Sequence, residues 1–182
     1  MVNKDLLSVK EAINEIVKNL QILHNEDIEL TNALGRVIAS KVISKLNNPP
    51  QNVSSMDGYA VSSKNKFQNY KIIGESSAGN PYKNSVNDAE TVQIFTGAYL
   101  PKGTDSVVIQ ENTKRKNKDI VSFKDNTIFK NRYIRKKGLD FNKGDVILDE
   151  NVIINSRDIS SIAMSGNFWL NVRIKPIIGI LD

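Results

Sequence analysis

Three short strings carry the side chains able to do chemistry. In Ser54-Ser55-Met56-Asp57-Gly58-Tyr59-Ala60 a carboxylate is followed at once by glycine in a loop entering a strand, and Gly58 is expected to let the backbone turn so that Asp57 projects. Asp-Gly is also a common turn dipeptide, so Asp57 read alone is a turn former. In Phe95-Thr96-Gly97-Ala98-Tyr99-Leu100-Pro101 a strand ends in a hydroxyl and a glycine bend, where freed N–H groups and the Thr96 hydroxyl could hold an anion. Read alone, it is a solvated strand-to-loop junction. In Arg135-Lys136-Lys137-Gly138-Leu139-Asp140 cations sit beside a glycine bend and a second carboxylate. A phosphate-bearing ligand would suit it, and so would a simple surface pair between Arg135 and a carboxylate, worth about 0–1 kcal/mol.

Composition narrows the chemistry further. The 182 residues include 25 Lys and Arg, 20 Asp and Glu, one His and no Cys, for a net charge of +5. Without cysteine there is no disulfide framework and no thiolate chemistry, and one histidine makes a His-based zinc site or a Ser-His-Asp triad nearly impossible. His24 reads as a residue near a helix end. No GxxxxGK[ST] or HExxH spacing occurs. No run approaches the roughly 18 apolar residues of a membrane span, and the N-terminus lacks a signal-peptide core, so a soluble cytoplasmic protein is expected. Lys114–Lys118 and Lys130–Lys137 are basic clusters, the first most simply a hairpin tip.

The elements that must position these strings follow from periodicity. Ser8 and Glu11 form a capping-box pattern ahead of Val9, Ala12, Ile13, Ile16, Val17 and Leu20 at helical spacing. After a polar break at Asn25-Glu26-Asp27, Thr31 is expected to cap a second short helix with Ala33, Leu34, Val37 and Ile38 on one face. Asn47-Asn48-Pro49-Pro50 stops helix, and strands are then expected at 58–61, 70–73, 91–95, 106–110, 120–123, 127–129 and 145–148. A helix over about 156–165 follows, with Ile159, Ile162 and Ala163 buried and Gly166 as its left-handed stop. Strands over 168–174, with Trp169 in the core, and over 177–181 complete the reading.

Helical pieces therefore flank a β-rich middle, and burial is simplest if the two ends pack together. The expected fold class is α+β and β-rich: an elongated helix/strand domain from 1–45 plus 138–172, with an inserted all-β domain over 46–137. The segment 173–182 reads as the first strand of a further α/β domain, because a buried parallel-type strand normally feeds a helix.

In combination and in this order, the strings resemble the N-terminal half of the MoeA/gephyrin family, the molybdopterin molybdenumtransferases. The resemblance rests on a Leu-Gly-Arg turn (Leu34-Gly35-Arg36), the Ser-x-Met-Asp-Gly-Tyr-Ala signature at 54–60, an Ala-Gly bend (Ala78-Gly79), and Thr-Gly-Ala-x-x-Pro at 96–101. It continues through Gly103, Asp105, Val107 and Val108 to Gln110-Glu111, and ends in Arg135, Gly138 and Asp140 of an Arg-x-x-Gly-x-Asp string. The family usually has an aromatic residue and an Asp after the proline pair, where this chain has Gln51 and Asn52, and a glycine near Asn151.

The resemblance implies insertion of molybdate-derived molybdenum into adenylylated molybdopterin with release of AMP, using a divalent cation such as Mg²⁺. It also implies a homodimer with a cleft shared between subunits, and a MogA-like molybdopterin adenylyltransferase as upstream partner. Asp57 and Thr96 would be the catalytic positions, Arg135 and Asp140 would bind substrate, and Gly58 and Gly97 would lie against the cofactor. The family's molybdopterin-binding α/β domain and C-terminal β-barrel domain are not represented in the 182 residues, so this chain alone is expected to be inactive. Two other readings stay open: a non-catalytic scaffold module of gephyrin type, which the resemblance also implies, and a basic nucleic-acid-binding β domain that uses Lys114–Lys118 and Lys130–Lys137. The latter is disfavoured because only Tyr133 interleaves the basic clusters as a stacking platform.

Overall fold

The computed structural model describes residues 7–179. Helix α1 (Val9–Asn19) leads into β1 (Asn25–Glu29), a 3₁₀ turn at Leu30–Asn32, and β2 (Val42–Ile43). The β-rich middle holds β3 (Val53–Ser54), β4 (Gly58–Val61), β5 (Tyr70–Ser76), β6 (Glu90–Ile94), β7 (Ser106–Ile109), β8 (Thr113–Arg115), β9 (Ile120–Phe123) and β10 (Ile134–Arg135). Then follow β11 (Val146–Leu148), α2 (Ser156–Met164) and β12 (Trp169–Arg173).

The two ends of the chain meet through backbone pairing. β1 runs antiparallel to β12 with Glu29 opposite Trp169, and β2 pairs with β11. Leu30, Ala33, Ile38, Val42, Ile154, Ile162, Leu170 and Val172 form the core they share, with Ile159 and Ala163 of α2 packed against it. α2 is set by a capping box in which Asn155 accepts from the Arg157 and Asp158 N–H groups while Asp158 accepts from Asn155 N–H. Gly166 ends it at φ +81°.

The middle of the chain builds a six-stranded sheet in the order β7-β4-β6-β5-β9-β8, antiparallel except for β5 beside β6. Alternation along β4 sends Tyr59 and Val61 into one cluster with Tyr70, Val108, Val121 and Ile128, and Ala60 into another with Ile94, Ala98 and Val107. The Lys114–Lys118 cluster lies on the β8–β9 hairpin, as expected.

Several expectations are corrected. No helix follows Thr31: Gly35 stands at φ +75°, and the Gly35 and Ile38 N–H groups donate to Ile154 and Val152 carbonyls, so these donors go to a neighbouring segment instead of the i−4 carbonyl. Residues 127–129 form no strand, because Asn126 sits at φ +55° and the Thr127 hydroxyl closes a local turn onto Lys124 O. Trp169 is 62% exposed, since alternation along β12 turns Leu170 and Val172 inward instead. The strand expected over 177–181 has no strand pairing at 177–179, and 180–181 lie outside the described residues. β1 arises from what read as a polar break. Helix α1 forms with its capping box, yet none of its residues is buried: Val9, Ile13, Ile16 and Val17 are 53–78% exposed, as is Leu20 at its C-cap.

Candidate functional site

The loop that carries Asp57 is built by Ser54. This buried hydroxyl donates to Met56 O at 2.6 Å and accepts from Met56 N–H at 3.3 Å, folding the backbone back within two residues. Its main chain is fixed on both sides. Ser54 N–H donates to Ala98 O and Ser54 O accepts from Gly97 N–H, while β3 pairs Ser54 with Ile134 and Val53 with Arg135. The three chemistry-bearing strings thus run side by side as a ribbon, with 52–55 in the middle.

Gly58 is required for a reason other than the expected turn. A Cβ there would lie 2.0 Å from Val108 O, so its small size lets β4 approach β7 immediately after Asp57. Gly97 does supply a bend, at φ +81°. A Cβ at Gly97 would come no closer than 4.0 Å to the Ala78 side chain, so the Ala78-Gly79 bend faces the Thr96-Gly97 bend across a cavity of about 300 Å³ lined partly by Gly79 and Gly97.

Asp57 and Thr96, 39 residues apart, are in direct contact. Thr96 N–H and Thr96 Oγ1 each donate to Asp57 Oδ1 at 2.8 Å. The donors expected to hold an external anion are therefore occupied by the chain's own carboxylate. These hydrogen bonds, the backbone one first and the hydroxyl second, hold the Asp57 carboxyl below the usual carboxylate range. Both residues are exposed, and Asp57 Oδ2 has no hydrogen-bond partner among the described residues. The result is an ionised carboxylate with one oxygen fixed and the other open to solvent.

Arg135 and Asp140 also meet. Arg135 Nη2 donates to both Asp140 oxygens at 2.8 Å, and Asn48 Nδ2 donates to Asp140 Oδ2 at 3.1 Å. The pair is 47% and 41% exposed, and the Asp140 and Gly138 N–H groups donate to the Asn48 and Pro49 carbonyls. Arg135 lies on β10 opposite Val53, which is four residues before Asp57 in the chain. Ser54 and Asn48 stand in the strings named from the sequence only as motif and helix-stop residues, although a hydroxyl two residues before Met56 is a recognisable turn signal for the role it plays here.

With this geometry in hand, relatives decide the family. The family model described as the MoeA N-terminal region (domain I and II) matches residues 7–166. The chain belongs to that family. It is 31% identical to a gephyrin of Dictyostelium discoideum over 98% of its own length and 27% of the relative's. It is also 31% identical to the molybdopterin molybdenumtransferase of Haemophilus influenzae, over 97% of its own length and 44% of the relative's. The crystal structure of the molybdopterin biosynthesis MoeA protein from Pyrococcus horikoshii OT3 superimposes with a TM-score of 0.81 at 27% identity, covering 94% of this chain and 47% of that one. The chain thus spans less than half the length of these relatives.

Proposed function

We propose that this chain forms one wall of the active cleft of a molybdopterin molybdenumtransferase. In that reading it works in molybdenum cofactor biosynthesis, in the insertion of molybdate-derived molybdenum into adenylylated molybdopterin with release of AMP. The observation that carries the reading is the Thr96 clamp on Asp57. It leaves an ionised, outward oxygen within the family's own signature strings.

Asp57 fits one position in a Mg²⁺ shell. That ion takes one or two carboxylates, keeps several waters and completes its octahedron with substrate phosphates. Asp57 would hold such an ion, which would supply Lewis-acid stabilisation of developing negative charge. Thr96 orients Asp57 and extends its ionised range to lower pH. The Arg135–Asp140 pair places a cation for anionic substrate and a second carboxylate on the adjoining string, and the exposed bend at Gly97 lets the cofactor approach the backbone, whereas Gly58 is buried against Val108 and does not face it.

We read the chain ends as a helix/strand dimerisation unit and the six-stranded sheet with its flanking strings as the inserted unit, in keeping with their separate cores. The uncovered apolar face of α1 supports a homodimer. No helix of the described residues is long and apolar enough to cross a membrane, and we place the protein in the cytoplasm.

The test is molybdate-dependent AMP release from adenylylated molybdopterin. The chain alone should show none. A chimera in which it replaces the matched region of the Haemophilus influenzae transferase should turn over, and Asp57→Asn in the chimera should lower turnover by at least about tenfold with folding retained. Undiminished turnover of that variant would return Asp57 to a turn-forming role.

A further inference from the structure

At the other end of the same ribbon lies a cavity of about 540 Å³ whose lining includes Gln51, Asn52, Lys102, Gly103, Thr104 and Lys137. We propose that it binds a tetrahedral dianion, either free or as the terminal phosphate of an organic ester. Two lysines and no acidic residue line it, and neither lysine is in an ion pair among the described residues.

Its walls are held by backbone, which separates it from a chance pair of solvated lysines. Asn52 O accepts from Leu100 N–H at 3.0 Å, and Asn52 Oδ1 accepts from Lys137 N–H at 2.9 Å, so one residue ties the other two walls together. The 101–104 turn is closed by Thr104 N–H and Thr104 Oγ1, which donate to Pro101 O at 3.2 and 2.7 Å, and is anchored by Val86 N–H donating to Lys102 O. Gly103 sits at φ +89°, and a Cβ there would fall 2.3 Å from Val86 O, so only glycine fits. The successive N–H groups of Lys102 and Gly103 have no acceptor among the described residues. Consecutive unpaired N–H groups in such a turn make a concavity suited to anions, and ammonium groups beside them add charge-assisted hydrogen bonds. The volume exceeds what a bare oxyanion fills, leaving room for an attached organic group.

Asn52 makes the charge argument testable. Aspartate at 52 keeps the acceptor for Lys137 N–H and the shape, and adds only a negative charge. Binding needs no turnover, so its failure and the failure of the transferase reading are distinguishable. The experiment is ¹⁵N NMR of the 182-residue chain titrated with inorganic phosphate and, separately, with AMP at fixed ionic strength. Saturating shifts should concentrate at the amides of Gln51, Lys102, Gly103 and Lys137, and Asn52→Asp should weaken binding about tenfold, as one charge near an anion requires. Tighter binding of AMP assigns the site to a phosphate ester, and equal or tighter binding of phosphate assigns it to a free oxyanion. Shifts that stay linear for both probes, or that spread equally over Lys114–Lys118, would overturn the site, as would unchanged affinity in Asn52→Asp. If that variant loses its folded spectrum, Lys102→Gln decides: weaker binding upholds the site and unchanged affinity removes it.

Discussion

Gly58→Ala isolates the steric demand at the entrance to the Asp57 loop. The added Cβ would sit 2.0 Å from Val108 O, against 3.4 Å for ordinary contact, so β4 and β7 must separate by about 1.4 Å on a direct path. The obstacle is backbone in a paired strand and cannot rotate aside. Overpacking of this kind costs about 1–3 kcal/mol, and an immovable neighbour places this case near the upper end. Gly58 is not at positive φ, so alanine also restricts the unfolded chain and returns about 0.5–1 kcal/mol. The net loss should be about 2 kcal/mol, or roughly 4–8 °C in Tm for a chain of this size. Urea and thermal unfolding followed by far-UV circular dichroism measure it. Gly97→Ala is the control, because its site is open and its cost, about 1–2 kcal/mol, comes from φ +81° alone. A Gly58→Ala protein within about 0.5 kcal/mol of wild type would refute the close-approach explanation.

Two further substitutions separate stability from chemistry. Arg135→Met removes a half-exposed ion pair and should cost no more than about 1 kcal/mol in urea unfolding, so a large fall in chimera turnover would reflect a lost substrate cation. Ile162→Ala should cost about 2–5 kcal/mol in the same assay, because Ile162 is fully buried in the core that joins the chain ends.

Local signals in the sequence located both helices, since a capping pattern and 3.6-residue spacing need no long-range information. β1 is not legible in the sequence because Asn25–Glu29 has no apolar alternation and owes its strand form to pairing with β12. Leu34 and Ile38 sit at helical spacing, yet tertiary hydrogen bonds to residues 152–154 override it. Trp169 looked like core by type, while its neighbours Leu170 and Val172 hold the inward positions. Asp57, Thr96, Arg135 and Asp140 could be named from residue type and motif. Their pairing could not, because Thr96 lies 39 residues from Asp57 and only the β4–β6 register brings the strand ends together. A turn and a close approach both select glycine, so residue type alone does not separate them at Gly58, where the contact with Val108 O decides.

Thr96 fixes one oxygen of Asp57 and lowers the pH at which its carboxylate protonates. Carboxyl-detected NMR titration of Asp57 in wild type and Thr96→Val tests this claim directly. The wild-type group should titrate below the ordinary aspartate value of about 3.9, with its stabilising contribution present above that pH and lost as pH falls through the lowered value. Thr96→Val should move the titration part of the way back, because the hydroxyl donor is lost and the larger backbone contribution stays. An Asp57 that titrates at the ordinary value in wild type and is unmoved by Thr96→Val would contradict the claim.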